Sequence, residues 1–458
     1  MRTRSRSEPG LSSKVGSTRR TFLKQAGAAS LATAAGTSLL FRGRAHAAAS
    51  AVTLSIWTGY PEVEPFYKKA AEEYAKPHPG FKLETLSSQL REMEQKLTAS
   101  VPTDTGPDLF DIGRNITISF ADAGLLPPNP PKVMSLVKSK AFHPVVVEYN
   151  TWKGRVYGIP FLEGSKPALF YNTKMFTEVG LDPKKPPTTF DELMAAAQKL
   201  AKKDASGNLT RAGISLRLSG QGAGVAEKFW YVLYAMGGDP IVQTKSGKWH
   251  NNYDNDPGRA ALKYYVDAVH KYHVDDTKLQ HDAAAFASEQ AAMLMREAWV
   301  IGELKEKGPK VEYNTVAVPR VKRWGGMTQP WSLYVTKSTK NPEVAWDFAQ
   351  FLVSPPMAVS LVQMTGWTSM RGDVDWSPVL KGTPQFKPFL VWDQGRNLYA
   401  EPAIPVWDEL ETKMADRLVA AFADKSLLDN PAGIAKAIKD MATQSDDLLK
   451  KAGVYGTT

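Results

Sequence analysis

Three features of this sequence predict an α/β protein with two domains. Segments that alternate apolar and polar residues give way repeatedly to segments with helical apolar spacing, the pattern of strands and helices in turn. Proline and glycine sit at the changeovers, where one element stops and the next begins. About 410 residues follow the N-terminal segment, more than a single hydrophobic core organises.

The first 47 residues stand apart from the fold. Thr18-Arg19-Arg20-Thr21-Phe22-Leu23-Lys24 matches the twin-arginine export signal at every position. An Ala-rich apolar stretch from Ala26 to Phe41 follows, short for a bilayer span, and Ala45-His46-Ala47 is an A-x-A cleavage site. The expectation is export in the folded state, cleavage near Ala47/Ala48, and residence in a periplasm. This segment holds nine of the 57 basic residues and one of the 47 acidic ones, so it carries +8 of the net charge of +10. The rest is nearly neutral at +2 and has no Lys/Arg block interleaved with aromatics. That argues against a nucleic-acid or membrane-surface binder. With no cysteine in the chain, disulfides, thiolate nucleophiles, iron–sulfur clusters and a lipidated N-terminal Cys are excluded.

Each element after that has a local cause. Val52 to Trp57 alternates apolar and polar and reads as a strand. Pro61 suits a first helical turn, and Phe66, Ala70 and Tyr74 then fall on one helix face. Pro77 and Pro79-Gly80 end that helix. Phe81–Leu86 is a second strand, a helix runs from about Gln89 to Ser100, and Asp108–Ile112 is a third strand. Such alternation argues for a parallel sheet covered on both faces. Ligands on these sheets bind beyond the strand C-termini, which marks Thr58-Gly59-Tyr60 and Gly113-Arg114-Asn115 as rim residues. Thr189-Phe190-Asp191-Glu192 is a capping box that opens a helix through Lys203, and Gly213–Leu216 reads as a short strand. Asp256-Pro257 caps a helix reaching Tyr272. Asn341-Pro342-Glu343 caps another that runs to Val353 and stops at Pro355-Pro356. Helices rich in Ala, Leu, Ile and Met close the chain.

The stretch from Ala291 to Val353 narrows the class. Ala-Ala-Met-Leu-Met-Arg-Glu-Ala-Trp-Val (291–300) is followed by Tyr-Asn-Thr-Val-Ala-Val-Pro-Arg (313–320), Trp-Ser-Leu-Tyr-Val (331–335) and Asn341 to Phe348. This order resembles the extracellular solute-binding proteins of ABC importers, of the maltose and multiple-sugar type. Gly106–Phe110 with Gly124-Leu125-Leu126, and Tyr157–Phe161 with Ala168–Asn172, resemble segments of the same family. The resemblance spans residues 51 to 453, and its specificity lies in order and spacing. It implies a two-lobe periplasmic-binding-protein fold, each lobe a mostly parallel sheet flanked by helices, with multiple hinge crossings. Residues 48–162 and 326–375 would form the N-terminal lobe, and 163–325 and 376–458 the C-terminal lobe. It further implies a monomer that needs no cofactor and performs no chemistry. Its partners would be a small solute, the membrane permease subunits and, during export, the twin-arginine translocase.

Candidate binding residues follow from both lines. All twelve Trp lie after residue 47, and indole rings pack on the C–H faces of sugars while burying on the order of 150–250 Å² each. In the family, a strand delivers a tryptophan to the interlobe cleft, which implies that role for Trp299. The resemblance adds Trp230 and Glu227 on the helix before Gly237-Gly238, Trp367 and Arg371 on a returning loop, and Trp407 before the last helices. Glu163 would face the cleft near the first crossing and accept sugar hydroxyls. Trp57 and Tyr60 belong to the first strand and its rim, with Arg114 and Asn115 on the third. A mono- or oligosaccharide or a sugar alcohol suits this aromatic supply. The two arginines leave an anionic polyol, such as glycerol-3-phosphate or a sugar acid, as the alternative.

Enzymes are the rival class. An oxidoreductase would need metal ligands, and His270 and His273 with His281 or Asp282 are the available set; a solvated helix end explains them as well. Gly220–Gly224 and Gly325-Gly326 lack the residues and context of phosphate loops, and there is no G-x-S-x-G elbow. For glycoside hydrolysis, Glu163 and Glu227 would be the pair of carboxylates.

Overall fold

The computed structural model describes residues 51–458 apart from Gln221, His281, 392–396, Ala403 and Pro405, and apart from the side chains of Arg114 and Asn115. The expected signal and its cleavage site therefore lie outside the described residues, as do the proposed contacts of Arg114 and Asn115.

The first sheet starts at β1 (Val52–Thr58). Helix α1 (Glu64–Ala75) follows a turn begun by Pro61, and it buries Phe66, Tyr67, Ala70 and Tyr74. Next come β2 (Phe81–Ser87), α2 (Leu90–Ser100), β3 (Leu109–Ile112) and α3 (Arg114–Asp122). Strand β4 (Ile159–Glu163) then carries the chain out of this sheet, and β5 (Ala168–Asn172) starts the second. Both are buried along their whole length.

In the second part, α4 (Phe190–Leu200) opens on the capping box of Thr189 and Glu192. It ends before Lys202, because Lys202–Lys203 pairs as a short strand with Leu209–Arg211. Helices α5 (Gly224–Ala235) and α6 (Asp256–His270) follow. The cap of α6 is Asn255 rather than Asp256, its side chain accepting from the Gly258 amide; Pro257 already occupies the first turn. Residues 213–216, read as a short strand, make only the isolated bridge of Ser215 with Leu294, with Ala212 bridging Ala291 just before them. Then come β6 (Met293–Arg296), α7 (Trp299–Lys307) and β7 (Tyr313–Ala317).

Strand β8 (Gly325–Thr328) leads to β9 (Pro330–Val335), which re-enters the first sheet. Helix α8 (Pro342–Leu352) packs on it. Pro355-Pro356 does more than end α8: it starts α9 (Pro355–Thr365), since proline is tolerated in a first turn. The chain finishes with β10 (Thr368–Ser369), β11 (Asn397–Ala400), α10 (Trp407–Ala423) and α11 (Pro431–Lys451).

The first sheet has the order β10-β4-β9-β3-β1-β2, and the second β6-β5-β7. The class is α/β as expected, but the first sheet is mixed and the second antiparallel, rather than mostly parallel. Only β1 with β2 and β1 with β3 run parallel in the first sheet. Strand β4 leaves the sheet and β9 returns to it, so the two oppose each other. For the same reason β5 opposes both β6 and β7. Each sheet has its own core: Leu54, Ile56, Phe66, Ile159 and Phe348 around the first, and Leu169, Phe229, Trp230, Leu262 and Met293 around the second.

Each part also buries a carboxyl without a cation. Asp111, at the end of β3, accepts from Thr58 and Tyr67, and Asp275 accepts from the Leu216 and Asp276 amides. Burial pushes each up from the ordinary 3.8 to about 7 against these hydrogen bonds. A raised folded-state value means that, between the two numbers, the native chain holds protons that the unfolded chain has released. Unfolding free energy is therefore expected to fall as pH rises from about 4 to about 7. Denaturant titrations across that range test this, and Asp111→Asn, which keeps an acceptor oxygen, should flatten part of the slope.

Candidate functional site

Four segments meet where the chain passes between the sheets, and Glu163 holds two of them. It terminates β4, and its Oε1 accepts from the Ser165 and Lys166 amides at 3.0 and 3.1 Å. Across the gap it accepts from Thr328 Oγ1 at 2.7 Å and the Gln329 amide at 3.4 Å. The outgoing and returning crossings are thus tied by one buried carboxylate. Gly164 completes the clasp: a Cβ there would lie 2.9 Å from the Trp331 ring and 3.0 Å from the Gln329 carbonyl. Glu163 is consumed by these donors and has little left for a sugar hydroxyl, or for pairing with Glu227 as a hydrolytic acid and base.

An aromatic group sits beside the clasp. Tyr60, just past β1, stacks on Trp331 with centroids 4.1 Å apart and planes 8° apart. Trp367 leans on both, at 5.4 Å from Tyr60 and 4.8 Å from Trp331. Its Nε1 donates to Glu62 at 2.9 Å. The register between β9 and β4 shifts at Trp331/Ser332, a bulge that re-aims the side chain. Tyr60 and Trp367 are buried, while Trp331 is half-buried. Trp331 is the ring that sequence reasoning missed; it reads there as an ordinary strand residue.

Trp299 approaches the same corner from the other sheet. It opens α7, is half-buried, and packs against core residues of both parts. Gly302 of α7 and Gly366, the left-handed cap of α9, face each other so closely that a Cβ on Gly366 would meet Gly302 Cα at 3.4 Å. The indole is held by charge: its Nε1 donates to Glu297 Oε2 at 2.9 Å, and the Arg296 guanidinium lies 4.9 Å from the ring centroid.

Those two residues belong to a chain of alternating charges. Arg217 pairs with Asp282, Asp282 with Arg296 at 3.0 Å, and Arg296 with Glu297 at 3.3 Å. Lys228 then bridges Glu297 at 2.7 Å and Glu227 at 2.8 Å. Three cations face three carboxylates, so the chain is neutral. Glu297 is buried, yet Arg296 and Lys228 outweigh desolvation and hold its carboxyl down at about 2. Tyr231 donates to Glu297 and to the Ser165 carbonyl, which joins this network to the first crossing. Arg296-Glu297, two charged residues ending an apolar strand just before Trp299, was the available sequence signal.

The remaining candidates divide. Trp230 is fully buried in the second core, one turn beyond the partly exposed Glu227, with its ring 4.8 Å from Trp407. Trp407, also buried, donates to Glu401 at 3.1 Å. Trp57 packs beside Met93 and Leu97 of α2, and no ring contact among the described residues joins it to the others. Arg371 is spent on Asp373, at 2.8 and 2.7 Å, and on the Val353 carbonyl at 3.1 Å. It is therefore not available as an anion clamp. His270 bonds the Phe422 carbonyl at 2.9 Å. Among the described residues no cluster of His, Cys, Asp and Glu is arranged to hold a metal. A pair missed entirely, Arg91 of α2 with Asp408 of α10 at 2.7 Å, links the two parts at their surface.

Deleting the Glu163 carboxylate would strand four donors. Glu163→Ala is expected to cost about 2–3 kcal/mol of unfolding free energy; a loss under about 0.5 kcal/mol in denaturant titrations would mean the crossings do not depend on it.

The comparisons with known proteins bear on this arrangement. Residues 59–359, well over half of the chain, match the family described as bacterial extracellular solute-binding protein. The maltotriose-binding protein of Pyrococcus abyssi is 24% identical over 334 residues, covering 69% of this chain and 66% of its own. The cyclic α-maltosyl-1,6-maltose-binding protein of Arthrobacter globiformis superposes with a TM-score of 0.71 at 20% identity, over 87% of this chain and 99% of its own. A solute-binding protein of Thermotoga lettingae, bound to α-D-tagatose, gives 0.69 at 23%, over 87% and 99%. These likenesses in structure show a shared two-lobe α/β fold. With its crossings, its paired sheets and this family match, the chain belongs to the bacterial extracellular solute-binding proteins.

Proposed function

We propose that the protein is the substrate-binding component of an ABC importer, and that it captures a carbohydrate between its two lobes. The observation that carries this is a pair of half-buried indoles: Trp331, stacked with Tyr60 and Trp367 beside the Glu163 clasp, and Trp299, whose backbone approaches Gly366, the residue before Trp367. Trp331 lies on β9 of the first sheet and Trp299 at the start of α7, and both are only half-buried. Rings with backing partners offer flat apolar surface to sugar C–H faces. Tyr60 and Trp367 brace the Trp331 ring, and the Arg296–Glu297 pair fixes Trp299. Neither Trp230 nor Arg371 contributes: one is core, the other is paired. The solute-binding proteins named above bind maltotriose, a cyclic maltosyl-maltose and tagatose, which supports a neutral sugar over an anionic polyol.

In this reading the mature chain begins near Ala48 after twin-arginine export, works as a monomer in the periplasm, and passes its solute to permease subunits without altering it. Contacts to both lobes favour a closed form, because a ligand shifts a two-state equilibrium by its differential affinity. A thermal-shift screen of malto-oligosaccharides, monosaccharides, sugar acids and glycerol-3-phosphate tests the reading. A true ligand at 100 times its dissociation constant adds about 2.7 kcal/mol. With that ligand, Trp299→Ala and Trp331→Ala are each expected to weaken binding at least tenfold while stability changes by about 2 kcal/mol or less, below a large core truncation. Binding untouched in both variants would move the site elsewhere.

A further inference from the structure

The alternating charge chain ends at Glu227, and beyond it the balance fails. Glu401 and Glu411 lie against that end, each only 3% exposed. One Glu401 oxygen accepts from Gln329 and from Trp407. Its Oε1 has no partner, nor has Glu411 Oε1. The Trp230 Nε1, a donor buried in the same α5–α10 corner, is unpartnered too. Lys228 is the cation that acts on both carboxylates, and it is already shared by Glu227 and Glu297. Around the two stand further anions or neutral groups: Glu227 on α5, Asp408 on α10 (itself paired with Arg91) and Tyr399 on β11. Among the described residues, the corner thus holds two carboxylates more than it has cations. Leaving an ionised carboxylate buried and unpaired costs several kcal/mol.

We propose that the solute is a carbohydrate carrying a basic nitrogen, an amino sugar or aminocyclitol whose ammonium is received by Glu227, Glu401 and Glu411. This rests on the carbohydrate reading and specifies its chemistry. Glu227 is the partly exposed member of the three carboxylates and so the one a guest reaches first. The ring faces of the same guest meet Trp299 and Trp331, which connect to the corner through Glu297–Lys228–Glu227 and through Gln329–Glu401. Without guest, burial and, secondarily, the neighbouring carboxylates push both Glu401 and Glu411 well above the usual range. That direction favours the protonated form of each, so an arriving ammonium is expected to release protons from the pair. Negative guests meet the opposite field, and Arg371 is tied to Asp373 and gives them no help.

Calorimetry of the mature chain with the fully deacetylated glucosamine disaccharide, its N-acetylated form and cellobiose tests this, in two buffers of different ionisation enthalpy. The expected result is at least tenfold tighter binding of the deacetylated sugar, with proton release that neither neutral sugar causes. The Glu401→Gln/Glu411→Gln double variant should erase both the preference and the proton release; Glu227→Gln should weaken the preference if the double variant does not fold. Neutral sugars binding as tightly as the amine, or a preference that survives these changes, would overturn the proposal and leave the carbohydrate reading standing. If the thermal-shift screen and this panel both find no sugar that binds, both fall.

Discussion

Everything about this molecule turns on how two crossings are kept side by side. A chain that leaves one sheet and returns to it later must pass polar backbone through a crowded, nearly dry junction, where unsatisfied amides are expensive. Glu163 meets that requirement with one side chain, taking two amides from the outgoing segment and an amide and a hydroxyl from the returning one. Gly164 lets the Trp331 ring close over it. The clasp sits between sheets with separate cores, the position that a hinge between rigid halves would require.

The aromatic and charged groups are arranged around that junction in a way that packing alone does not explain. Stacking of Tyr60 on Trp331 fixes a ring on the first half, and the Arg296–Glu297 pair fixes one on the second. Buried ion pairs are weak sources of stability, since desolvation offsets much of the attraction. Their value here is geometric: six charged side chains in alternation hold Trp299 and Glu227 at set positions along one wall. As the wall of the proposed site, such a network would need little rearrangement when a guest arrives.

Much of this was legible in the sequence, for local reasons. The buried face of α1, the Thr189–Glu192 capping box and the start of α8 at Pro342 follow from spacing within a few residues. Trp299 was marked by its neighbours in order. What escaped depended on partners far along the chain. Glu163 looked like a free acceptor because its donors at 328 and 329 lie 165 and 166 residues away. The Trp331 bulge has no signature in its own strand, and sheet direction was misjudged because the strands that enter and leave each half oppose their neighbours. Trp230 shares a helix face with Glu227, yet a fully buried indole and a partly exposed carboxylate can occupy one face when α10 covers only part of it. Arg371 was the avoidable error, for Asp373 stands only two residues on.

We propose that two stiff halves hinge at the Glu163 junction and close around a sugar. Solution X-ray scattering of the mature chain, alone and saturated with a carbohydrate that raises its melting temperature, measures this directly. A smaller radius of gyration in the bound state, lost in Trp299→Ala at the same sugar concentration, is the predicted result. Superimposable curves with and without a saturating sugar would contradict it.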